Sequence, residues 1–279
     1  MEEATQEAAQ TGTLVARVGY RGTDFAGFAE QEGQRTVAGE LRYALRLVLR
    51  REAELTCAGR TDAGVHALGQ HVSVPLYADE PALEGRRLER SLSAILPDDV
   101  SLRGLFHAPA GFSARFDACA RRYRYRIACG NTRPIMGWGH VWWLTRSATL
   151  DVVAMDAAAQ ALVGEHDFTS FAKTSSVAQM RADGRSTSRC LNSIHVAREV
   201  EAGEELVVVD VAGNAFLHNM VRVIVGTLVE VGAGRRPETW VGEALAACDR
   251  KAAGPTAPAL GLTFEEVTYE EGVLIPWTS

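Results

Sequence analysis

Most of the chain between Thr13 and about residue 270 shows one of two spacings of apolar residues: alternation, or a repeat every three to four positions. In the first half, TLVARVGY (13–20) alternates as a strand does. Thr36 then precedes apolar residues at helical spacing, where a capping threonine is common. The other elements predicted in this half are a strand near 53–58, a strand over HVSVPLYA (71–78), a helix near 83–95 and a strand near 100–107. This β-α-β-β-α-β order predicts a ferredoxin-like domain.

The second half also mixes strands with helices. It opens with the alternating segment RRYRYRIA (121–128), and FLHNMVRVIVGTLVEVG (216–232) carries apolar residues at helical spacing. The remaining predicted elements are helices near 150–163 and 237–249 and strands near 190–199, 205–212 and 261–269. We therefore predict two α+β domains, ferredoxin-like or RRM-like, over 13–110 and 111–279, after a disordered tail over 1–12. The sequence itself shows no repeat between the two halves.

Composition narrows the class of protein. The 279 residues are 47% hydrophobic and 23% charged, which is typical of a globular protein. No apolar run approaches the roughly 20 residues needed to cross a bilayer, and the first residues lack the pattern of a signal peptide. We therefore expect a cytoplasmic protein without a membrane segment. The five cysteines are odd in number and form no C-x-x-C pair, which argues against a disulfide framework or a zinc site.

The charge distribution matters more than the total charge. A formal net charge of -6 counts against nucleic acid as a partner, but basic residues cluster in ARRYRYR (120–126) and GRR (234–236). A local cluster of this kind can bind phosphate even in an acidic protein. In the strand that begins at Arg121, alternation places Tyr123 and Tyr125 on one face and Arg122 and Arg124 on the other.

The segment AGRTDAGVHALGQ (58–70) concentrates chemistry in one loop. Arg60, Thr61 and Asp62 bring a cation, a hydroxyl and a carboxylate together, and the flanking glycines allow another group to approach the backbone closely. An ionised carboxylate suits a nucleophile or a base. Turn geometry alone could also explain the glycines and the aspartate.

A metal site is a third interpretation of this loop. Asp62 and His66 are four residues apart and His71 is near, but the glycines make a continuous helix unlikely, so a shared helical face is not assured. We therefore expect no metal at this loop. We expect His66 and His218 to be structural or RNA-contacting residues.

Four segments in order resemble the tRNA pseudouridine synthase A family. AGRTDAGVHALGQ is similar to the family signature with the catalytic aspartate, which makes Asp62 the nucleophile. FSARFDACARRYRYRI (112–127) resembles the block whose tyrosine lies against the target base, here Tyr123. NAFLHNMVRVIVGTLVEVG (214–232) resembles the block whose arginine pairs with the catalytic carboxylate, here Arg222. AGPTAPALGLTFEEVTY (253–269) is similar to the last block and makes Leu262 a residue of the pocket wall.

The resemblance implies a fold, a substrate and a reaction. The fold is that of the pseudouridine synthases, with a central, largely antiparallel sheet. The substrate is uridine at positions 38, 39 and 40 in the anticodon stem-loop of tRNA, and the enzyme is a homodimer without a cofactor. Asp62 either attacks C1′ of the ribose or acts as a base and gives a glycal-like intermediate, and the sequence leaves both open.

Base flipping gives further residues a role. An enzyme that acts on a paired base needs cations for phosphates, an aromatic ring for stacking and a side chain to fill the vacated space. Tyr123 supplies the ring, and Arg60 is the candidate for the vacated space, with loop stabilisation as its alternative. The arginines expected to contact phosphate are Arg121, Arg122 and Arg124.

Two segments depart from the family pattern. Where the family has Y-D-G and G-W-Q, this chain has Tyr20-Arg21-Gly22 and Gly27-Phe28-Ala29. The segment 173–190 matches no block, and because it is polar and basic we expect an RNA-contacting loop there. A non-catalytic RNA-binding protein and a metal-dependent phosphoesterase remain the alternative functions.

Overall fold

A computed structural model describes residues 9–78, 84–137, 139–145 and 149–277. The chain forms two compact units. Unit 1 takes in residues 1–61, 67–119 and 267–279, and unit 2 takes in residues 62–66 and 120–266. The chain thus changes unit between residues 119 and 120, whereas the predicted division lies between 110 and 111.

Unit 1 contains one antiparallel sheet and two helices. Its elements are β1 (Gln10–Tyr20), α1 (Val37–Leu49), β2 (Thr56–Cys57), β3 (His66–Tyr77), α2 (Gly85–Ile95), β4 (Val100–Ala108) and β11 (Ile275–Pro276). The strands are arranged in the order β11-β4-β1-β3, and β2 pairs with β3. Apart from β11, this is the predicted β-α-β-β-α-β plan.

The start of unit 1 differs from the sequence prediction at one point. β1 begins at Gln10, three residues before Thr13, and residues 10–12 of the predicted tail pair with β3. Residues 1–8 of that tail lie outside the described residues. The predicted cap of α1 is confirmed, because the side chain of Thr36 accepts a hydrogen bond from the N–H of Gly39 at 3.2 Å.

Unit 2 contains the remaining strands and four of the helices. Its elements are β5 (Ala120–Cys129), β6 (Trp142–Leu144), α3 (Val152–Ala159), β7 (Gly164–Asp167), α4 (Thr174–Ala182), β8 (Ser188–Glu201), β9 (Glu204–Gly213), α5 (Met220–Gly232), α6 (Thr239–Ala247) and β10 (Leu262–Thr268). The strand order is β10-β5-β9-β8-β7, and β6 runs parallel to β5. The pairs β5–β9, β9–β8 and β8–β7 are antiparallel.

The strands of the two units repeat one topology. In unit 1 the order β4-β1-β3-β2 places the fourth strand of the plan beside the first, followed by the third and the second. In unit 2 the order β10-β5-β9-β8 is the same arrangement. The predicted fold class, mixed α+β with largely antiparallel strands, is confirmed. The repeat is absent from the sequence because a buried face needs an apolar pattern and not particular side chains.

The segment 173–190 is not a loop throughout. Helix α4 occupies Thr174–Ala182, and β8 begins at Ser188. Within α4 only Val177 is buried, so the helix leaves no periodic apolar pattern in the sequence. The expectation of a loop is therefore corrected. Among the described residues, no helix has the length and apolar character needed to span a membrane.

Helix α5 forms the centre of unit 2. Val223, Ile224 and Leu228 are fully buried, and α3 packs against the helix. The chain between residues 250 and 257 lies directly on α5 because two glycines remove the side chains that would keep it away. A Cβ on Gly226 would overlap the carbonyl oxygen of Pro255, and one on Gly254 would lie 2.7 Å from the Cα of Thr227.

We expect Gly226→Ala to destabilise the protein by about 2 kcal/mol, because the new methyl group must push the backbone of Pro255 away from α5. Thermal and denaturant unfolding measure this loss. Gly242→Ala in α6 is the matched control, since its Cβ would meet no atom closer than 3.7 Å. The control should be neutral or stabilising by up to about 1 kcal/mol, because alanine favours helix. Equal stability of the two variants would contradict the close contact.

Candidate active site

The loop that carries Asp62 is fixed on its amino-terminal side by Thr61. The Thr61 hydroxyl is buried and lies 2.8 Å from the hydroxyl of Tyr20. The carbonyl oxygen of Thr61 accepts a hydrogen bond from the N–H of Phe28 at 3.0 Å. Tyr20 and Phe28 belong to the two segments that depart from the family pattern, so these segments support the loop.

A tight turn follows Asp62. The N–H of Val65 donates to the carbonyl oxygen of Asp62 at 3.1 Å, and Gly64 has a φ of +79°. A side chain at Gly64 would be strained by this backbone conformation and would lie 3.3 Å from Ala259. Gly64 therefore allows the tight turn that orients the Asp62 side chain.

The carboxylate of Asp62 contacts two donors from the start of α5. Nη1 of Arg222 lies 3.0 Å from Oδ2, and Nε2 of His218 lies 3.2 Å from Oδ1. The Asp62 side chain is 25% exposed, so the carboxylate is partly removed from water yet remains accessible. Each oxygen has one donor and a remaining lone pair, an arrangement that fixes the orientation of a reactive carboxylate.

Arg222 is itself held by two acceptors. Its Nε donates to the carbonyl oxygen of Ala257 at 2.8 Å, and Nη1 donates to Oδ1 of Asn219 at 3.0 Å. Ala257 belongs to the segment that lies on α5 at Gly226. The close packing in the core of unit 2 therefore positions the guanidinium that faces Asp62.

His218 was expected to be structural or RNA-contacting, and the structure places it on Asp62. Its other ring nitrogen, Nδ1, lies 3.0 Å from the hydroxyl of Ser176 on α4. An ionised carboxylate only accepts hydrogen bonds, so Nε2 carries a proton. The sequence contained one signal for this residue: at the helical spacing predicted for 216–232, His218 falls off the apolar arc together with Arg222, although α5 itself begins only at Met220.

These contacts set the protonation state of Asp62. Burial raises the pKa of the carboxyl group, but the contacts with His218 and Arg222 lower it by more in total, so the pKa falls below its usual 3.8. Asp62 is therefore ionised at neutral pH. Arg222, which the family resemblance places opposite this carboxylate, shares that role with His218.

Comparisons with known proteins agree with this site. A family model described as tRNA pseudouridine synthase matches residues 158–270. The tRNA pseudouridine synthase A of Frankia casuarinae is 46% identical over 253 residues, which cover 90% of this chain and 86% of the relative. The protein of the same name from Brevibacillus brevis is 42% identical over 90% of this chain and 96% of the relative.

The chain belongs to the tRNA pseudouridine synthase A family. This confirms the resemblance found in the four sequence segments. The matched region of the family model contains Arg222 and Leu262.

The family residues Tyr123 and Leu262 are both buried in unit 2. Tyr123 is 7% exposed and packs edge to face against Phe216 and at a tilt against Phe264, with ring centroids 4.9 and 4.7 Å apart. Leu262 is 5% exposed and begins β10. Their roles toward a base remain predictions.

The predicted alternation along β5 is confirmed, since Tyr123, Tyr125 and Ile127 are buried and the arginines between them are not. The arginines, however, already have acidic partners on the neighbouring strands. Arg124 makes two hydrogen bonds to Asp210, at 2.6 and 3.0 Å, and is also paired with Glu199 and Glu201. Hydrogen bonding to Asp210 raises the pKa of the Arg124 guanidinium.

The other two predicted phosphate contacts differ in exposure. Arg122 is paired with Glu266 at 3.3 Å, and its side chain is 42% exposed. Arg121 is buried and donates to the carbonyl oxygen of Asn214. An RNA phosphate would have to compete with these partners for each arginine. The competition is weakest at Arg122, because its side chain is the most exposed of the three.

Arg60 is the predicted site residue with the fewest ties to the protein. Its side chain is exposed, and it has no hydrogen bond or ion pair with the described part of the chain. It lies two residues before Asp62 in the sequence. For the metal interpretation, the described residues contain no group of three His, Cys, Asp or Glu side chains able to hold a metal ion.

Arg222→Gln should raise the pKa of Asp62, because the variant removes the cation from Oδ2 and leaves the effect of burial. Carbon NMR titration of the Asp62 carboxyl group, assigned by comparison with Asp62→Asn, measures this change. Since the pKa in the folded chain is below 3.8, ionised Asp62 stabilises the wild-type fold above that pH. This stabilisation should disappear as the pH falls through the folded pKa.

Arg235→Gln is the control for this titration. Arg235 pairs with Glu230, eight residues after Arg222 and therefore about 12 Å further along α5. The control should leave the pKa of Asp62 unchanged. An unchanged pKa in Arg222→Gln would contradict the assigned ion pair.

Proposed function

We propose that this chain converts uridine to pseudouridine at positions 38, 39 and 40 in the anticodon stem-loop of tRNA. The observation that carries the proposal is an accessible, ionised Asp62 held by Arg222 and His218. Its relatives of 40% to 46% identity carry the name tRNA pseudouridine synthase A, which supports tRNA as the substrate. The chain is thus a member of an isomerase family.

The reaction requires no redox step and no group donor. The bond between N1 of uracil and C1′ of the ribose breaks, the base turns over, and C5 bonds to C1′. C5 loses its proton and N1, freed from C1′, gains one, so substrate and product are isomers. An ionised Asp62 can add to C1′, or it can take a proton from the ribose and give a glycal-like intermediate. Both routes need a carboxylate that is unprotonated and fixed in direction.

Arg222 and His218 meet this need from two sides. Together with His218, Arg222 lowers the pKa of the partly buried carboxylate, and its bonds to Ala257 and Asn219 fix the position of its guanidinium. His218 holds the second oxygen and is oriented by Ser176. Such pre-organised donors stabilise a reacting carboxylate without rearrangement during the reaction.

The remaining residues bind and extrude the base. We assign Tyr123 and Leu262 to the contact with the target base, and Arg60 to the space that the base leaves. Arg121, Arg122 and Arg124 are assigned to phosphates, and the exposure of Arg122 favours it among the three. We assign the domains to 13–110 and 111–279, and we propose a homodimer located in the cytoplasm.

Asp62→Ala should abolish pseudouridine formation, by about a thousandfold or more, while tRNA binding persists, because the variant removes the reacting group and no phosphate contact. The assay is incubation with unmodified tRNA transcript followed by site-by-site mapping of pseudouridine. Asp98→Ala, which removes an exposed carboxylate from unit 1, is the control and should keep full activity.

The outcomes separate the alternatives. Turnover by Asp62→Ala would overturn the proposal, as would wild-type binding without product, which a non-catalytic RNA-binding protein predicts. Inhibition by chelators that leave the tRNA folded would favour the phosphoesterase. Product at positions outside the anticodon stem-loop would overturn the assigned substrate site.

Arg60→Ala should lower kcat/KM by about tenfold to a hundredfold and change the free energy of unfolding by less than about 0.5 kcal/mol, because this exposed side chain supports no other group. Enzyme kinetics and denaturant unfolding on the same preparation test both parts. A loss of stability that matches the loss of activity would instead assign Arg60 to the loop. Full activity would remove it from the site.

A further inference from the structure

Unit 2 contains a cavity that the proposed active site does not use. It has a volume of about 560 Å³ and lies between α4 and the chain at residues 248–255. Three cationic side chains line it: Arg181, Arg250 and Lys251. The acidic residue among its lining side chains is Asp249, whose Oδ1 accepts the N–H of Lys251 at 3.0 Å. The cavity therefore has a surplus of positive charge in a protein of formal net charge -6.

These cations differ from those on β5. Arg122, Arg124 and Arg126 all form ion pairs with carboxylates of neighbouring strands. Across the described residues, no carboxylate lies within 4.0 Å of the charged nitrogens of Arg181, Arg250 or Lys251. The cavity is thus a place where an incoming anion need not displace an acidic partner.

Two of the cations are already oriented by neutral groups. Nη2 of Arg181 donates to the hydroxyl of Thr169 at 3.2 Å, and Nη2 of Arg250 donates to the hydroxyl of Thr256 at 3.2 Å. The Thr169 hydroxyl in turn donates to Oδ1 of Asp167 at 2.7 Å, so a carboxylate lies one hydroxyl away from Arg181 but does not contact it. Burial lowers the pKa of the Arg250 guanidinium, which shows that its charge is partly removed from water without compensation. An anion in the cavity would supply that compensation at little cost in side-chain entropy.

The two segments that form the cavity walls also carry the groups that contact His218 and Arg222, the two residues that face Asp62. α4 carries Ser176, which contacts His218, and Arg181 lies five residues further, about 7.5 Å along the helix. The opposite wall continues from Pro255 to Ala257, which accepts from Arg222. In a nucleic acid strand, phosphates recur at about 3.4 Å of helix axis. A strand with its uridine at Asp62 therefore has phosphates within reach of this cavity a few nucleotides away.

We propose that the cavity lined by Arg181, Arg250 and Lys251 binds a backbone phosphate of the RNA substrate, a few nucleotides from the uridine at Asp62. This inference rests on the proposed function. It assigns the polar segment 173–190 its contact with RNA through α4, and it distinguishes this contact from the arginines of β5.

The test is the salt dependence of tRNA binding. Arg181→Gln combined with Lys251→Gln removes two exposed charges, so the fold should be retained. We expect the slope of log Kobs against log salt concentration to fall by about 0.7 for one lost phosphate contact. If variant and wild type bind equally at 1 M salt, the variant should bind about fivefold more weakly than wild type at 0.1 M salt, because a slope difference of about 0.7 acts over one decade of salt concentration. Arg250→Gln should act in the same direction and Arg250→Lys should keep the slope.

The control removes the same charge elsewhere. Arg86→Gln combined with Arg87→Gln changes two exposed residues of α2 and should leave the slope unchanged. An unchanged slope in the cavity variants, or an equal fall in the control, would overturn the proposal. Saturable binding of inorganic phosphate in the cavity, with RNA affinity unaffected by the variants, would assign it to free phosphate and overturn it as well.

Failure of the proposed function would be recognised separately. If wild-type protein forms no pseudouridine, the function fails whatever the salt slope shows. If wild-type protein forms product and the cavity variants bind tRNA with the wild-type slope, only the cavity proposal fails.

Discussion

The ion pair between Asp62 and Arg222 is the interaction on which the site depends. Burial raises the pKa of this partly covered carboxylate, and the contacts with His218 and Arg222 more than offset the rise, so Asp62 carries the charge that attack on a ribose or acceptance of a proton requires. Arg222 is 160 residues away in the sequence and is placed by its bond to Ala257. That bond exists because Gly226 and Gly254 allow the chain to lie directly on α5. The position of the Arg222 guanidinium beside Asp62 thus depends on close packing in the core of unit 2.

Ion pairing decides which basic residues of this protein are available to bind an anion. The arginines of β5 are the densest basic cluster in the sequence, yet Arg122, Arg124 and Arg126 are bound to acidic residues of β8, β9 and β10. Their first effect is to join neighbouring strands by cross-strand ion pairs. The cations around the cavity beside α4 are spread over two segments and are inconspicuous in the sequence, but among the described residues none of them forms a direct ion pair. Where an acidic protein attracts a polyanion depends on which cations are uncompensated and not on how many are close in sequence.

The two units show how much of a fold periodicity can predict. Alternating strands and amphipathic helices were predicted within about two residues for α2, β4, β8 and β9, and the ferredoxin-like order followed from them. The short strands β6, β7 and β11 and the helix α4 were missed. These elements bury few side chains, so no periodic pattern marks them. The two units were predicted to share a ferredoxin-like plan although the sequence carries no repeat between them, because topology is set by which strands pair and not by any one residue type.

The sequence by itself identified the family, and its resemblance to the family predicted Asp62 as the reacting carboxylate and Arg222 as its partner, because the motifs that carry them are short and local. It also showed that Arg222 leaves the apolar arc of α5. Only the tertiary structure decided that His218 reaches Asp62, that Ser176 orients it, and that the β5 arginines are already paired. The physical reason is that periodicity reports which face of an element is buried. It contains no information on which distant side chain lies across that face, since this depends on strand register and on how closely loops can approach.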